Sequence, residues 1–352
     1  MEVGILQAFQ NHLGQRDDTD HFQDELRFGE LAEPLGFDTL WCAEHHFADY
    51  SAIPDNAQHL AYMAARTERI KLGTAAFILP WNHPLRVVEK IVMLDHQSNG
   101  RAVLGLGRGL SRKEFRGFGI DMNETRERFD EASRMIIEGT EKGFVEGGGP
   151  YYPQARTEVR PRPRGSFRDR FYSIGMSPES VDQAARLGAR LAAFSQMEWE
   201  PWAEHVLSRY RKLYKENWGK DAPPPLTVDV MFCDPDEASA ETGSLQFISE
   251  YYRSVMAHYE IDKGHLATTK GYESYAVQAQ PATQASEAER SYAGVNIGGT
   301  PESILESLRR RRETLGEFEL GVIAKYGSMT LAQAESSLRL FASEVLPELH
   351  SW

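Results

Sequence analysis

Cysteine is scarce in this chain: Cys42 and Cys233 are the only two among 352 residues, too few for a disulfide framework. Long apolar runs are missing as well. No stretch of about 18 apolar residues occurs, which excludes a membrane-spanning helix. Basic residues are in deficit, with 39 Lys and Arg against 52 Asp and Glu and a net charge of −13. That balance argues against partners bound by neutralising phosphates, whether nucleic acid or an anionic membrane surface. The phosphate-loop pattern GxxxxGK[ST] is absent, and after Gly107-x-Gly109 the third glycine of a dinucleotide fingerprint is replaced by Arg112. Neither HExxH nor paired Cys/His spacing is present, so no metal site is expected. The opening Met1-Glu2-Val3-Gly4 lacks the basic and apolar regions of a signal peptide, and a cytoplasmic location is the expectation.

What is present is the composition of a globular protein, 41% hydrophobic and 26% charged. The most informative stretch is Arg69 to Gly119. Ile70–Leu79 reads as a strand, Pro80, Asn82 and Pro84 as a turn, and Leu85–Ser98 as a helix stopped by Asn99-Gly100. Arg101–Leu106 reads as a strand buried on both faces, opening into Gly105-Leu106-Gly107-Arg108-Gly109. The same alternation runs along the chain. Strands are expected at Val3–Phe9, Thr39–Cys42, Phe171–Gly175, Leu191–Ser195, Leu226–Phe232 and Leu320–Lys325, with helices between them. Gly147–Gly165, rich in Gly, Pro and Arg, reads as a crossing loop. Eight strands, each followed by a helix, predict an α/β fold of the (β/α)8 TIM-barrel type, one domain over residues 1–352. The run Arg309–Arg312 is expected on a solvated helix face.

Ligand sites of such barrels gather at the C-terminal ends of the strands. There the sequence places Glu44-His45-His46 after strand two, Arg108 after strand four, Arg126 early in the next helix, and Ser177-Pro178-Glu179-Ser180 after strand five. Adjacent residues of an extended segment point to opposite sides, so His45 and His46 are not expected to share one metal. Ser177 as N-cap and Pro178 at the first helical position leave free N–H groups that favour an anion. With two arginines nearby, a monophosphate site is expected.

These residues carry a resemblance. GFDTLWCAEHHF (36–47), GTAAFILPWNHPLRVVEKIVMLDHQSNGR (73–101), GRGLSRKEFRGFGIDMNETR (107–126), GMSPESVDQAARLG (175–188), GTPESI (299–304) and LRLFASEVLPEL (338–349) together resemble the bacterial luciferase-like family of flavin-dependent monooxygenases. The resemblance implies a (β/α)8 barrel with an insertion after strand seven. It implies that reduced FMN (FMNH2) and O2 oxygenate a small organic substrate through a C4a-(hydro)peroxyflavin. His45 is then the catalytic histidine. Arg108, Arg126, Ser177 and Ser180 hold the FMN phosphate with backbone help from Leu110, Ile174 and Met176, and Ala75-Ala76 forms a cis peptide beside the flavin ring. Gly107 stands where luciferase α-subunits carry a reactive cysteine, and Met176 replaces an acidic residue, so a non-luminous oxygenase is expected. A separate flavin reductase supplies the cofactor on this reading. The alternatives are a deazaflavin (F420)-dependent hydride-transfer enzyme and a non-catalytic flavin-binding protein.

Three further expectations concern shape. Val87, Val88, Ile91, Val92, Met93 and Leu94 cover more than one face of their helix, a surplus that suggests a homodimer, with Glu89 and His83 paired across it. Phe9, Phe47, Phe77, Trp81 and Phe194 suggest an apolar substrate pocket. Residues 262–292 contain few large aliphatic side chains and are expected to form a mobile insertion that closes over the reduced flavin.

Overall fold

The computed structural model describes residues 1–276 and 285–352. Eight strands form the centre: β1 (Val3–Gln7), β2 (Thr39–Cys42), β3 (Lys71–Thr74), β4 (Ala102–Gly107), β5 (Phe171–Ile174), β6 (Arg190–Phe194), β7 (Leu226–Cys233) and β8 (Glu319–Ile323). Each pairs in parallel with the next in chain order. β8 returns to β1, with Val322 opposite Ile5, and closes the barrel. Side chains of a closed sheet face either the barrel interior or the surrounding helices, so no face meets water. β7 is accordingly buried at all eight positions, which is why it reads as an unbroken apolar run.

The connecting helices carry their own start and stop signals. Asp55 caps the helix Asn56–Arg66 by accepting the Gln58 N–H. Ser177 and Ser180 form a reciprocal capping box at the helix Pro178–Leu187, which ends at Gly188 in a left-handed conformation. The insertion between β7 and β8 holds the long helix Glu237–Tyr259 and the segment that follows it. No helix among the described residues is long and apolar enough to cross a membrane.

Several local expectations are corrected. The strand expected at Ile70–Leu79 is two pieces, Lys71–Thr74 and Phe77–Ile78, joined through a cis peptide at Ala75-Ala76. β1 stops at Gln7, and Phe9 turns the chain with a φ of 53°. The crossing loop contains an antiparallel hairpin, Phe144–Gly147 with Gln154–Glu158. The surplus apolar face of the helix Pro84–Gln97 is covered within the chain: Val87, Val88, Ile91, Val92 and Leu94 are all buried, and Val88 lies against Gly139 of the helix Thr125–Lys142. Glu89 pairs with Arg86, His83 meets the Tyr152 ring, and Met93 stays exposed. Arg311 is not solvated. With Ile304, Leu308 and Leu315 it falls on the inward stripe of the helix Pro301–Leu315, where its guanidinium holds both oxygens of Asp229 at 2.6 and 2.7 Å.

The expected insertion 262–292 is only partly irregular. Ile261–Lys263 and His265–Thr268 are short turns of 3₁₀ helix, and Glu273–Ala276 and Ala285–Val295 are α-helical. Leu266 and Tyr272 are completely buried against Phe115, Met122 and Ile261. That small second core joins Leu266 and Tyr272 of the insertion to residues from elsewhere in the chain, which a count of the insertion's own aliphatic side chains leaves out. Residues 277–284 lie outside the described residues, and the central part of the expected mobile insertion falls there.

Candidate active site

β4 and β5 run side by side with Leu106 opposite Ser173, so the loops that leave them open next to each other. Arg108 emerges from the first. Its Nη2 donates to the Gly271 carbonyl at 2.6 Å, and its guanidinium lies 3.7 Å from the centroid of the Tyr272 ring. Tyr272 is itself fixed by its hydroxyl, 2.9 Å from the Gly109 carbonyl and 3.0 Å from Thr125 Oγ1. Arg126 follows one residue after Thr125. All three of its side-chain nitrogens are buried without a hydrogen-bond partner among the described residues, as is Arg108 Nη1. Burial first, and then the charge of Arg108, lower the Arg126 pKa. Two cations with unmet donors thus lie close together, Arg108 on the Tyr272 ring and Arg126 next to Thr125, which meets the Tyr272 hydroxyl.

The serines of that helix are already engaged. Ser180 Oγ accepts from the N–H groups of Met176 (3.1 Å) and Ser177 (2.9 Å) and donates to the Ser177 carbonyl (2.8 Å). A hydroxyl has one proton and two lone pairs, so Ser180 is saturated. Ser177 Oγ accepts the Ser180 N–H at 3.3 Å. Met176 turns its sulfur toward the Phe194 N–H, 3.3 Å away. Leu110 packs on the cluster that holds Tyr272 and Tyr275. Gly107 is tightly enclosed. A Cβ there would lie 3.0 Å from Ile78 Cδ1, 3.2 Å from Ala76 Cβ and 3.9 Å from Ile174 Cγ1. Ala76 and Ile174 therefore flank one backbone position, and the Ala76 carbonyl is held by Asn56 Nδ2 at 3.1 Å.

On the other side of the mouth His45 leaves β2. Its Nδ1 is 3.0 Å from Glu114 Oε1, and its Nε2 is 3.5 Å from the Tyr259 hydroxyl. Glu114 comes from the short helix Arg112–Gly117 and also accepts the His46 N–H at 2.8 Å. His258 Nε2 lies 3.6 Å from the same Oε1, and its ring stacks on Tyr50 at 4.3 Å. Burial opposes ionisation of Glu114, but the imidazoles of His258 and His45 overcome it and hold the carboxyl well below the usual range. Burial lowers the His258 pKa, with Glu114 only partly offsetting it. Beside this array opens a cavity of about 500 Å³ lined in part by Tyr50, Lys113, Arg116 and His258. His46 faces elsewhere, 3.4 Å from Glu44 Oε1, which also receives Trp81 Nε1 and Asn82 Nδ2.

The structure thus brings Arg108, Leu110 and Arg126 together, sets Ala76 and Ile174 beside Gly107, and places His45 in an array of its own. Of the aromatic residues expected to line a pocket, Phe9 and Phe77 are core, while Phe47 is exposed. Sequence reasoning missed Glu114, His258, Tyr259 and Tyr272. Glu114 lay inside a quoted motif, but nothing local marked it. His258 and Tyr259 carry a weak signal, two titratable side chains at the last turn of a long helix.

The sequence model described as luciferase-like monooxygenase matches residues 1–317. An alkanal monooxygenase alpha chain from Photorhabdus luminescens is 26% identical over 343 residues, 92% of this chain and 90% of that protein. The crystal structure of monooxygenase RslO1 from Streptomyces bottropensis superposes with a TM-score of 0.79 at 25% identity, covering 99% of this chain and all of that one. Two further structures share the fold at 19% identity. One is the oxygenating constituent of 3,6-diketocamphane monooxygenase from Pseudomonas putida in complex with FMN (TM-score 0.74; 99% and 98% of the two chains). The other is a coenzyme F420 dependent tetrahydromethanopterin reductase from Methanopyrus kandleri (TM-score 0.70; 99% of each chain).

Proposed function

Because the chain belongs to the luciferase-like monooxygenase family and is an oxidoreductase, we propose that it is the oxygenase of a two-component system that uses reduced FMN and O2 on a small organic substrate. The observation that carries this reading is the pair Arg108 and Arg126, four of whose buried nitrogens lack partners. A terminal phosphate brings the charge and the acceptor oxygens that these donors lack. When bound, reduced FMN supplies the electrons that activate O2. The rest falls to the protein. An ionised Glu114 can only accept, so a neutral His45 carries its proton on Nδ1 and offers its lone pair at Nε2. His45 Nε2 is then the general base, facing the Tyr259 hydroxyl, which burial keeps protonated. The segment carrying Gly271 and Tyr272 covers Arg108 and shields the site from water. Ala76 and Ile78 crowd the position of a side chain at 107, in keeping with a non-luminous enzyme.

On this reading a separate reductase delivers the flavin, because the chain lacks a nicotinamide fingerprint. Two copies form the working unit in the cytoplasm, with Tyr62 and Met93 as exposed large side chains for a second copy to cover. The decisive experiment is turnover with FMN, NADH, a flavin reductase and a substrate panel, read by mass spectrometry for one added oxygen. A parallel titration uses F420. Tight F420 binding with hydride transfer and no added oxygen would replace the oxygenase by a deazaflavin enzyme.

A further inference from the structure

We propose that His45, Glu114 and His258 form a binding site for a divalent transition-metal ion of the zinc class, and that the bound ion switches the enzyme off. The three donor atoms, one from each residue, lie within 4.8 Å of one another. His45 Nδ1 and His258 Nε2 flank Glu114 Oε1 at 3.0 and 3.6 Å. Zinc–ligand lengths near 2.0–2.1 Å set the donors of a tetrahedral ion about 3.3 Å apart, so the two spacings to Glu114 match an edge of that figure within a few tenths of an ångström, while the two imidazoles lie within 4.8 Å of each other. Two imidazoles and one carboxylate are also a donor set that zinc accepts, with the fourth position left open.

Three further observations point the same way. His258 Nε2 is buried and, among the described residues, makes no hydrogen bond shorter than its 3.6 Å approach to Glu114 Oε1, so its coordination breaks no close bond. The surroundings supply the supports that metal ligands need: Tyr259 faces the second nitrogen of His45, Tyr50 stacks on His258, and the His46 N–H fixes Glu114. An entry path exists through the 500 Å³ cavity, where His258 is part of the wall. Asp49 and Glu260 line it with Lys113 and Arg116, Glu260 being paired with Arg112.

The consequence for activity rests on the proposed role of His45. A metal on Nδ1 moves the imidazole proton to Nε2, where it faces the Tyr259 oxygen. The lone pair that served as base is gone, and the carboxylate that oriented it is coordinated.

The binding claim is tested without turnover. The tag-free full chain is titrated with zinc chloride by calorimetry near neutral pH, and with Co²⁺ by visible absorption. One ion per chain at micromolar concentration is expected, with cobalt bands of a four- or five-coordinate site. H258Q and E114Q should each weaken zinc by about tenfold or more. An unchanged affinity in a folded H258Q places the ion elsewhere and overturns the proposal. Should H258Q fail to fold, E114Q carries the same comparison, being nearly isosteric. Absence of stoichiometric binding by the wild type overturns it without any variant. Zinc binding with undiminished product formation leaves the site standing and removes His45 as the base.

Discussion

Removing Arg126 should move ligand affinity and fold stability independently. In the free protein its guanidinium is largely buried, all three nitrogens are unpartnered, and Arg108 stands close enough to depress its pKa. Asp130 is the one anion that favours this charge, and it makes no hydrogen bond to it among the described residues, so a bound anion has most to add. Arg126→Ala should therefore leave the unfolding free energy within about 0.5 kcal/mol of the wild type, or raise it. Arg311→Ala is the contrasting control. Arg311 is paired with both oxygens of a fully buried Asp229, and its loss should cost about 3–5 kcal/mol by stranding that carboxylate. For the cofactor the order reverses. Hydrogen bonds to a charged partner are each worth about 1.5–3 kcal/mol, so Arg126→Ala should weaken FMN by roughly 10- to 150-fold. Riboflavin, which lacks the phosphate, should bind the variant and the wild type alike. Fluorescence titration with the two flavins and urea unfolding without flavin supply every number needed. An equal loss for riboflavin would refute the phosphate assignment, and a loss of several kcal/mol in the free protein would make Arg126 a structural residue.

Further outcomes follow from the same geometry. Arg108→Ala should weaken FMN by about 1.5–3 kcal/mol and riboflavin hardly at all, a comparison made by the same titration. His45→Ala should keep flavin affinity but lower product formation by about 10²–10⁴-fold, and an unchanged yield would remove it from the chemistry. His59 sits buried against Gln7, and burial pushes its pKa from 6.5 down to about 4. Because the folded value is the lower one, the unfolded chain takes up the proton first, and stability drains away as pH falls from 6.5 to about 4. The loss reaches about 3 kcal/mol. His59→Gln should flatten the urea midpoint across that window, and an unaltered slope would assign the acid sensitivity to other groups. Finally, Lys263, Lys270 and Arg290 offer trypsin three cuts in the insertion, and anaerobic reduced FMN should slow them. Equal rates with and without it would leave no gating role.

Much of the architecture was legible because it is local. A capping Ser177 followed by Pro178, stop glycines such as Gly188, and apolar runs such as β7 act within a few residues, and their meaning does not depend on the rest of the chain. Strict alternation of strand and helix then left few arrangements, and the eight-stranded barrel is the one observed. The phosphate side was legible in part: Arg108 and Arg126 belong to one continuous stretch of sequence, and their shared site follows from the order of the strands.

The rest depended on contacts between distant segments. The same run of arginines yields exposed Arg309 and Arg310 and a buried Arg311, because only one of them faces Asp229 across the helix–barrel layer. The apolar helix Pro84–Gln97 looks in need of a partner until the chain's own helices are packed on both its flanks. Glu114 is 69 residues from His45, and Tyr259 is 214 away. No spacing rule joins them. Each is an unremarkable side chain in its own segment, and its pKa and its role are set by desolvation and by neighbours that only the closed barrel assembles. By itself the sequence determined the barrel and the residues able to carry the chemistry. The tertiary structure decided which of them meet, because burial and Coulomb interactions act over ångströms in space and take no account of distance along the chain.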